Sequence, residues 1–501
     1  MEIKIGSAKI KAMQQNESKN IIATKREQPP AGKGSSNSKG DFSQGKVSLA
    51  IIKLALPLCL AQLVNVLYNI VDRVYIGHIE GVGAAALTGV GVTFPIISII
   101  SGFINMCGLG GAPAFSMARG AGDDKKAGEI MGTSLSLLII CGAVLMAAVL
   151  IFKKPLLYAF GASDATFSYG DDYITIYIMG IFFSMISIGL NPYINNQGFG
   201  GTGMLTTVIG AAINIVLDPF FIFDSFSVVG LHINGLNLGT KGAALATIFS
   251  QFVSAVWVLI FLTKKAPLRL RLQNMRLKWA NVKTILSVGL VQLIWSFTTS
   301  ASQILYNASL QSYGGDIYVG IMTVINSIRE MLLMGIHGLT GGAQPVISYN
   351  YGAGDCKRTL DGIKFLTLAG LIYTTVVSGT ILLFPGAMIG IFTDSKELLS
   401  KGPEMVRIFF SLQAVMAFHI VGQYTFTALG KSGKAIFFSI FRKIILVVSL
   451  VIALPRIFSA FPVKAIYMSE PIADVIAGIV CFSAMYITVW RKLSRGQLPK
   501  K

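Results

Sequence analysis

The sequence predicts an all-α integral membrane protein: twelve transmembrane helices arranged as two pseudo-symmetric bundles of six. Three observations carry this. Of 501 residues, 53% are hydrophobic and only 13% charged, whereas soluble proteins carry about 25% charged residues. Apolar runs of about the 20 residues that a spanning helix needs recur along the chain. Residues 113–126 and 345–358 repeat one sparse pattern at an offset of 232: Pro113, Ser116, Gly120, Ala121, Gly122, Asp123 and Lys125 return as Pro345, Ser348, Gly352, Ala353, Gly354, Asp355 and Lys357. Phe160, Ser163, Gly170 and Gly198 return at the same offset as Phe392, Ser395, Gly402 and Gly430. A membrane chain that repeats its turn chemistry at half its length consists of two copies of one unit, with a site between them.

Taken in order, residues 1–46 are polar, rich in Lys, Gln, Ser and Gly, and contain no apolar stretch long enough for a signal peptide. They read as a disordered cytoplasmic tail. Six spans follow at 48–77, 83–115, 129–152, 173–194, 204–223 and 240–263. The basic stretch 264–283 is too charged to span and reads as the linker between an N-terminal bundle (47–263) and a C-terminal bundle (284–490). The second bundle has spans at 284–311, 317–347, 360–384, 403–428, 434–456 and 464–490, and 491–501 is a short tail. With the N-terminus placed in the cytoplasm, 29 Lys and Arg residues lie inside and seven outside. This asymmetry orients the chain in the plasma (inner) membrane with both termini cytoplasmic. Pro57, Pro95, Pro113, Pro192 and Pro345 interrupt spans and are candidate hinges.

The excess of 42 Lys+Arg over 23 Asp+Glu resembles a nucleic-acid footprint, but it is confined to short gaps between spans and is not interleaved with base-stacking aromatics. No nucleic-acid partner is expected. Cys59, Cys107, Cys141, Cys356 and Cys481 form no CxxC pair and read as small hydrophobes. Gly198–Gly203 fits G-x-G-x-x-G without a surrounding βαβ unit, so it reads as a turn. Gly430-Lys431-Ser432 lacks the first glycine of a P-loop, because Thr425 stands there. No nucleotide, metalloenzyme or other enzymatic chemistry is expected, and no cofactor beyond a coupling ion.

Polar groups inside apolar spans are the candidate site. Gln62, Asn65, Asn69 and Asp72 are spaced 3, 4 and 3, which at about 100° per residue keeps them within an arc of roughly 80°. Asp72 is followed by Arg73, so a structurally paired carboxylate at the interface is the plain alternative to a titratable group in a cleft. Asn214 and Asp218 lie one turn apart on the fifth span and can share a bound cation or a proton; the plain alternative is a helix-terminal Asp-Pro turn. On the seventh span Gln303, Asn307 and Gln311 form a neutral stripe, joined by Thr299 and Ser300. Arg329 and Glu330 are adjacent and read as a salt bridge, and His337 and His419 as core residues. The two halves thus read as acids on one side and neutral groups on the other.

Several segments resemble signatures of the multidrug and toxic compound extrusion (MATE) family. They are Leu56-Pro57 with Asn69–His78, Gly120-Ala121-Gly122-Asp123, Asn214–Pro219, Gly242–Thr247, Gln344–Ala353 and Ala428–Lys431. The resemblance spans about residues 46–490 and is nearest to the bacterial MepA-like branch, beside the DinF-like proteins. It implies a V-shaped pair of six-helix bundles around a cavity that alternates between membrane faces. It also implies a monomer exporting organic, often cationic and amphipathic drug-like compounds against inward H⁺ or Na⁺. Asp72, Asp218 and Asn214 match the family's N-half coupling positions, with Asn191 and Thr247 as further partners. Gln62, Asn65, Tyr68, Asn69, Gln303 and Asn307 are the expected substrate-cavity residues. The acid pair of other branches on the seventh and tenth spans is replaced by Gln303, Asn307 and His419. The basic residue usual before the Gly198 turn is Asn195. The alternatives are a lipid-linked oligosaccharide flippase of the same superfamily, which needs a strongly basic cavity, and a non-transporting membrane receptor or scaffold.

Overall fold

The computed structural model describes residues 40–228, 231–393 and 395–499. Most of the expected N-terminal tail (1–39) and Lys500–Lys501 therefore lie outside the described residues. In chain order the spans are α1 (Val47–Gly77), α2 (Ala85–Gly120), α3 (Asp124–Ala159), α4 (Asp164–Met179 with Ile181–Asn195), α5 (Gly200–Ile222), α6 (Thr240–Lys265), α7 (Trp279–Gly314), α8 (Asp316–Gly352), α9 (Cys356–Leu383), α10 (Lys396–Ala428), α11 (Ser432–Ile457) and α12 (Pro462–Ser494). Eleven of these are single helices long and apolar enough to cross a membrane, and the bent pair α4 makes twelve. Many run past their apolar windows, because backbone hydrogen bonding continues until a cap or glycine ends it. Asp123 and Asp355 provide such starts: each Oδ1 accepts the N–H three residues on, of Lys126 and Arg358, both at 2.9 Å. Such a cap stabilises a helix by about 1 kcal/mol. The preceding Gly122 and Gly354 have φ of 75° and 79°, a left-handed turn that glycine adopts without strain.

Two features were absent from the sequence expectation. A hairpin, β1 (Ser225–Val228) with β2 (Leu231–Asn234), joins α5 to α6 with Ser225 opposite Asn234. A span is broken by a 60° bend at Gly180, between the two parts of α4, and not at one of the candidate hinge prolines. A Cβ at Gly180 would stand 2.5 Å from the Ile248 side chain, so a glycine is what lets α4 bend against α6.

The two halves interlock through small residues. A Cβ on Gly110 of α2 would meet Gly289 Cα of α7 at 2.7 Å, and one on Gly342 of α8 would meet Ala55 Cα of α1 at 2.6 Å. Positions 110 and 342 are repeat equivalents, and their partners fall two positions apart in the repeat, so the two crossings are near copies of each other. Close backbone approach through glycine is how membrane helices gain packing energy without a hydrophobic drive. The first turns of α1 accordingly join the opposite half: Val47, Ile51 and Leu54 share a core with Val346, Ile347 and Ile363. At one end of the molecule the halves meet again. A Cβ on Gly120 would lie 2.8 Å from the Tyr349 carbonyl carbon, and one on Gly352 2.6 Å from that of Met117. Residues 117 and 349 are also repeat equivalents.

The last residues of the expected tail are held in place. Phe42 is buried and packs edge-on against Tyr349 at 5.6 Å. The Arg358 guanidinium donates to the carbonyls of Phe42 (2.8 Å), Gln44 (3.1 Å) and Gly45 (2.8 Å). The expected linker is helical up to Lys265 and from Trp279 onward, with one short turn at Leu272–Asn274 between.

Candidate functional site

A central cavity of about 410 Å³ lies between the halves. Its floor contains Pro113 and Pro345, one from each repeat, together with Asn195 and Thr427, which are likewise equivalent. Beneath it Ser116 Oγ donates to Asn196 Oδ1 at 3.0 Å, and its equivalent Ser348 Oγ donates to the Ala428 carbonyl at 2.7 Å. Side-chain amides supply most of its polar lining, among them Gln62, Asn105, Asn191, Gln292 and Gln344, beside Trp295, Tyr424 and His337. None of its lining residues is Asp, Glu, Lys or Arg. His337, read from sequence as a core residue, faces this space and its Nδ1 lies 3.1 Å from the Tyr424 hydroxyl.

A second cavity, about 220 Å³, opens inside the N-terminal half among α1, α4, α5 and α6. Gln62, Ile188 and Asn191 line both cavities and form the junction between them. Asn65, Tyr68 and Thr247 line the inner one, with Thr206, Ser250, Gln251 and Ser254. Tyr68 lies within coulombic reach of both Asp72 and Asp218, and Asp218 within reach of Asp72. Asp72 (8% exposed), Asn214 (1%) and Asp218 (0%) are buried. Asn214 Nδ2 donates to Asp218 Oδ1 at 3.0 Å. Three acceptor oxygens of this group, Asp72 Oδ1, Asn214 Oδ1 and Asp218 Oδ2, have no donor within hydrogen-bonding distance. Arg73 is exposed and lies over the Phe94 ring, 4.6 Å from its centroid, and no ion pair joins it to Asp72 among the described salt bridges.

The structure thus brings Asp72, Asp218 and Asn214 together, with Tyr68 between them and the inner cavity that Asn65, Asn191 and Thr247 line. Asn69 is exposed and donates to the Asn65 carbonyl at 2.6 Å. Gln303 and Asn307 sit elsewhere than expected. Gln303 lines a separate recess of the C-terminal half, and Asn307 lines none of the three spaces. The helical stripe places both on α7 beyond Trp295, further along than the central cavity reaches.

The expectation of a second half without acids is overturned. Glu470 and Asp474 of α12 are fully buried with Arg442 and Lys443 of α11 and Arg329 of α8. Arg329 pairs with Glu470, 3.4 Å away, and not with its neighbour Glu330. A signal existed: Glu470 and Asp474 are i and i+4 inside an apolar span, and Arg442-Lys443 interrupt another. A wide π-type turn at Phe441–Val448 turns both cations inward, an irregularity that often marks functional positions. Arg442 and Lys443 are the repeat equivalents of Gly210 and Ala211, which line the inner cavity of the first half. Phe438 and Phe482 likewise stand for Thr206 and Ser250. What is open space in one half is filled by aromatic and cationic side chains in the other.

A family model described as MatE matches residues 57–220 and 293–453, one block in each half. This chain belongs to the MatE family. Among relatives of this MatE chain, the multidrug export protein MepA of Staphylococcus haemolyticus is 23% identical over 361 residues, 72% of this chain and 76% of the relative. The probable multidrug resistance protein NorM of Thermotoga maritima is 26% identical over 372 residues, 73% and 77%. Among solved structures, a MOP superfamily transporter from Pyrococcus furiosus superposes with a TM-score of 0.83 at 22% identity, over 92% of the MatE chain and 100% of its own. An outward-facing multidrug resistance MATE transporter gives the same values. These likenesses establish the MatE fold and, with the twelve spans, a multi-pass membrane protein.

Proposed function

We propose that the protein is a secondary active multidrug exporter that moves organic, amphipathic, often cationic compounds by antiport with H⁺ or Na⁺. It acts as a monomer in the plasma membrane with both termini cytoplasmic. One observation carries the reading: Asp72 Oδ1, Asn214 Oδ1 and Asp218 Oδ2 are buried oxygens without donors, close to a cavity that joins the central one. Two buried carboxylates need compensating positive charge, and a proton or a hard cation supplies it to oxygen ligands. Antiport requires that the ion bind one conformation better than the other. A group reached through the cavity that also holds substrate lets the two compete for that difference. The relatives' names as multidrug proteins agree with this reading. The flippase alternative finds no basic side chain in the central cavity to hold a pyrophosphate.

The test is dye efflux from vesicles containing the purified chain, driven by a pH gradient alone or a Na⁺ gradient alone. One of the two should drive efflux, and Asp72→Asn with Asp218→Asn should abolish it while the protein still elutes as a folded species. Full gradient-driven efflux in the double variant would overturn the assignment.

A further inference from the structure

Five ionisable side chains of the C-terminal half are almost without exposure: Arg329 (11%), Lys443 (4%), Arg442 (2%), Glu470 and Asp474 (both 0%). Glu470 Oε1 accepts from Arg442 Nη2 at 2.7 Å, Lys443 Nζ at 3.0 Å and Arg329 Nη1 at 3.4 Å. Its Oε2 accepts from the Tyr306 hydroxyl at 3.1 Å, and Asp474 Oδ1 accepts from Arg442 Nε at 2.7 Å. Three cations therefore share two carboxylates. Among the described salt bridges no other acid joins them. An unbalanced charge in an apolar interior is costly unless something offsets it; the two arginines cannot release their protons, so the excess is met either by loss of the Lys443 proton or by a bound anion.

The place for an offsetting group is present. A recess of about 10 Å³ is lined by Lys443, Arg329, Thr299, Ser302, Gln303 and Tyr306, and no carboxylate lines it. That is about the space one water-sized guest occupies. Two potential donors around it, Arg329 Nε and Thr299 Oγ1, are buried and have no partner. Gln303 is exposed at its mouth. Thr299 and Gln303 follow Trp295 at i+4 and i+8 on α7, the helix face that reaches the central cavity.

We propose that this recess binds a small monoanion: a free halide, or the carboxylate of a compound in the cleft. The anion supplies the negative charge the network lacks and accepts from Arg329 Nε and the Thr299 hydroxyl. The halide source stands independently of the transport reading, whereas the carboxylate source rests on it.

The test uses the purified full chain in detergent. Its Tm is measured in sodium isethionate, whose tetrahedral sulfonate head is larger than the recess and which carries no carboxylate, and then with chloride or benzoate replacing isethionate at constant Na⁺. A saturable rise of a few degrees with chloride identifies a halide site, and a rise with benzoate alone a carboxylate subsite. Lys443→Gln removes the excess charge, so its Tm should no longer respond to either anion and should match that of the anion-saturated parent. Should that variant not fold, Thr299→Val and Gln303→Leu leave the ion network intact and should weaken the anion response several-fold. Equal Tm in all three salts, or an undiminished response in Lys443→Gln or in both lining variants, overturns the proposal.

Discussion

The paired glycines at one end of the molecule allow a direct test of how the halves close on each other. Gly120 and Gly352 bring α2 and α8 into backbone contact, each facing a carbonyl of the opposite repeat. A methyl at Gly352 would stand 2.6 Å from the Met117 carbonyl carbon, and one at Gly120 2.8 Å from that of Tyr349. Ordinary contact begins at 3.4 Å, so the backbones must part by at least 0.6 to 0.8 Å. The obstructing atoms are main chain and cannot rotate away. Overpacking of this kind costs about 1–3 kcal/mol, and at about 1.4 kcal/mol per tenfold the closed arrangement should lose roughly 5- to 150-fold in population. The readout is the rate at which a single cysteine, Thr427→Cys on the cavity floor, reacts with a membrane-impermeant thiol reagent added from the Gly120/Gly352 side, in a background lacking the five native cysteines. Gly120→Ala and Gly352→Ala should each raise that rate at least fivefold. Gly91→Ala, with open space around its Cβ, should leave it unchanged. Rates equal to that control would refute the idea that this contact holds the floor shut.

Three further outcomes follow from the same structure. Glu470→Gln leaves three buried cations with one carboxylate and should destabilise the C-terminal half by about 3–5 kcal/mol, read as a lower midpoint in heated size-exclusion profiles; an unchanged midpoint would contradict the network. Arg358→Ala removes the three bonds that hold residues 42–45, and trypsin should then cut at Lys46 at least tenfold faster, since charge-assisted hydrogen bonds contribute about 1.5–3 kcal/mol. Gly210→Arg, which puts at the first-half position the residue its equivalent Arg442 carries, should fill the inner cavity and abolish efflux. Wild-type efflux in that variant would mean the inner cavity is not on the path.

Much of this architecture was readable from the chain because membrane helices announce themselves by apolar length. The repeat at 232 located both turns, since the same turn residues recur at the same spacing; that each glycine is left-handed and each aspartate caps the next helix came from the structure. The Asp72 and Asp218 grouping was legible because a carboxylate in an apolar run must be answered by something. The C-terminal network escaped because its members come from three spans, each contributing no more than two of them, and their pairing across spans leaves no mark on any one segment. The contrast between acids in the first half and neutral groups on the seventh span showed divergence, but not that buried charges of the second half meet at 442, 443, 470 and 474. The Gly180 bend escaped for a different reason: glycine inside a helix carries no signal until its neighbour, Ile248, is known to press against it.

The doubled glycine crossing also sets a mechanical ratio. If α8 rocks rigidly at Gly342, its arm to Gly352 is ten residues and its arm to Asp316 twenty-six, about 15 Å and 39 Å at 1.5 Å per residue. A parting of about 5 Å at the short arm then sweeps the far end through about 13 Å. The fulcrum is off centre, so a seal a few atoms thick at one face commands a wide aperture at the other.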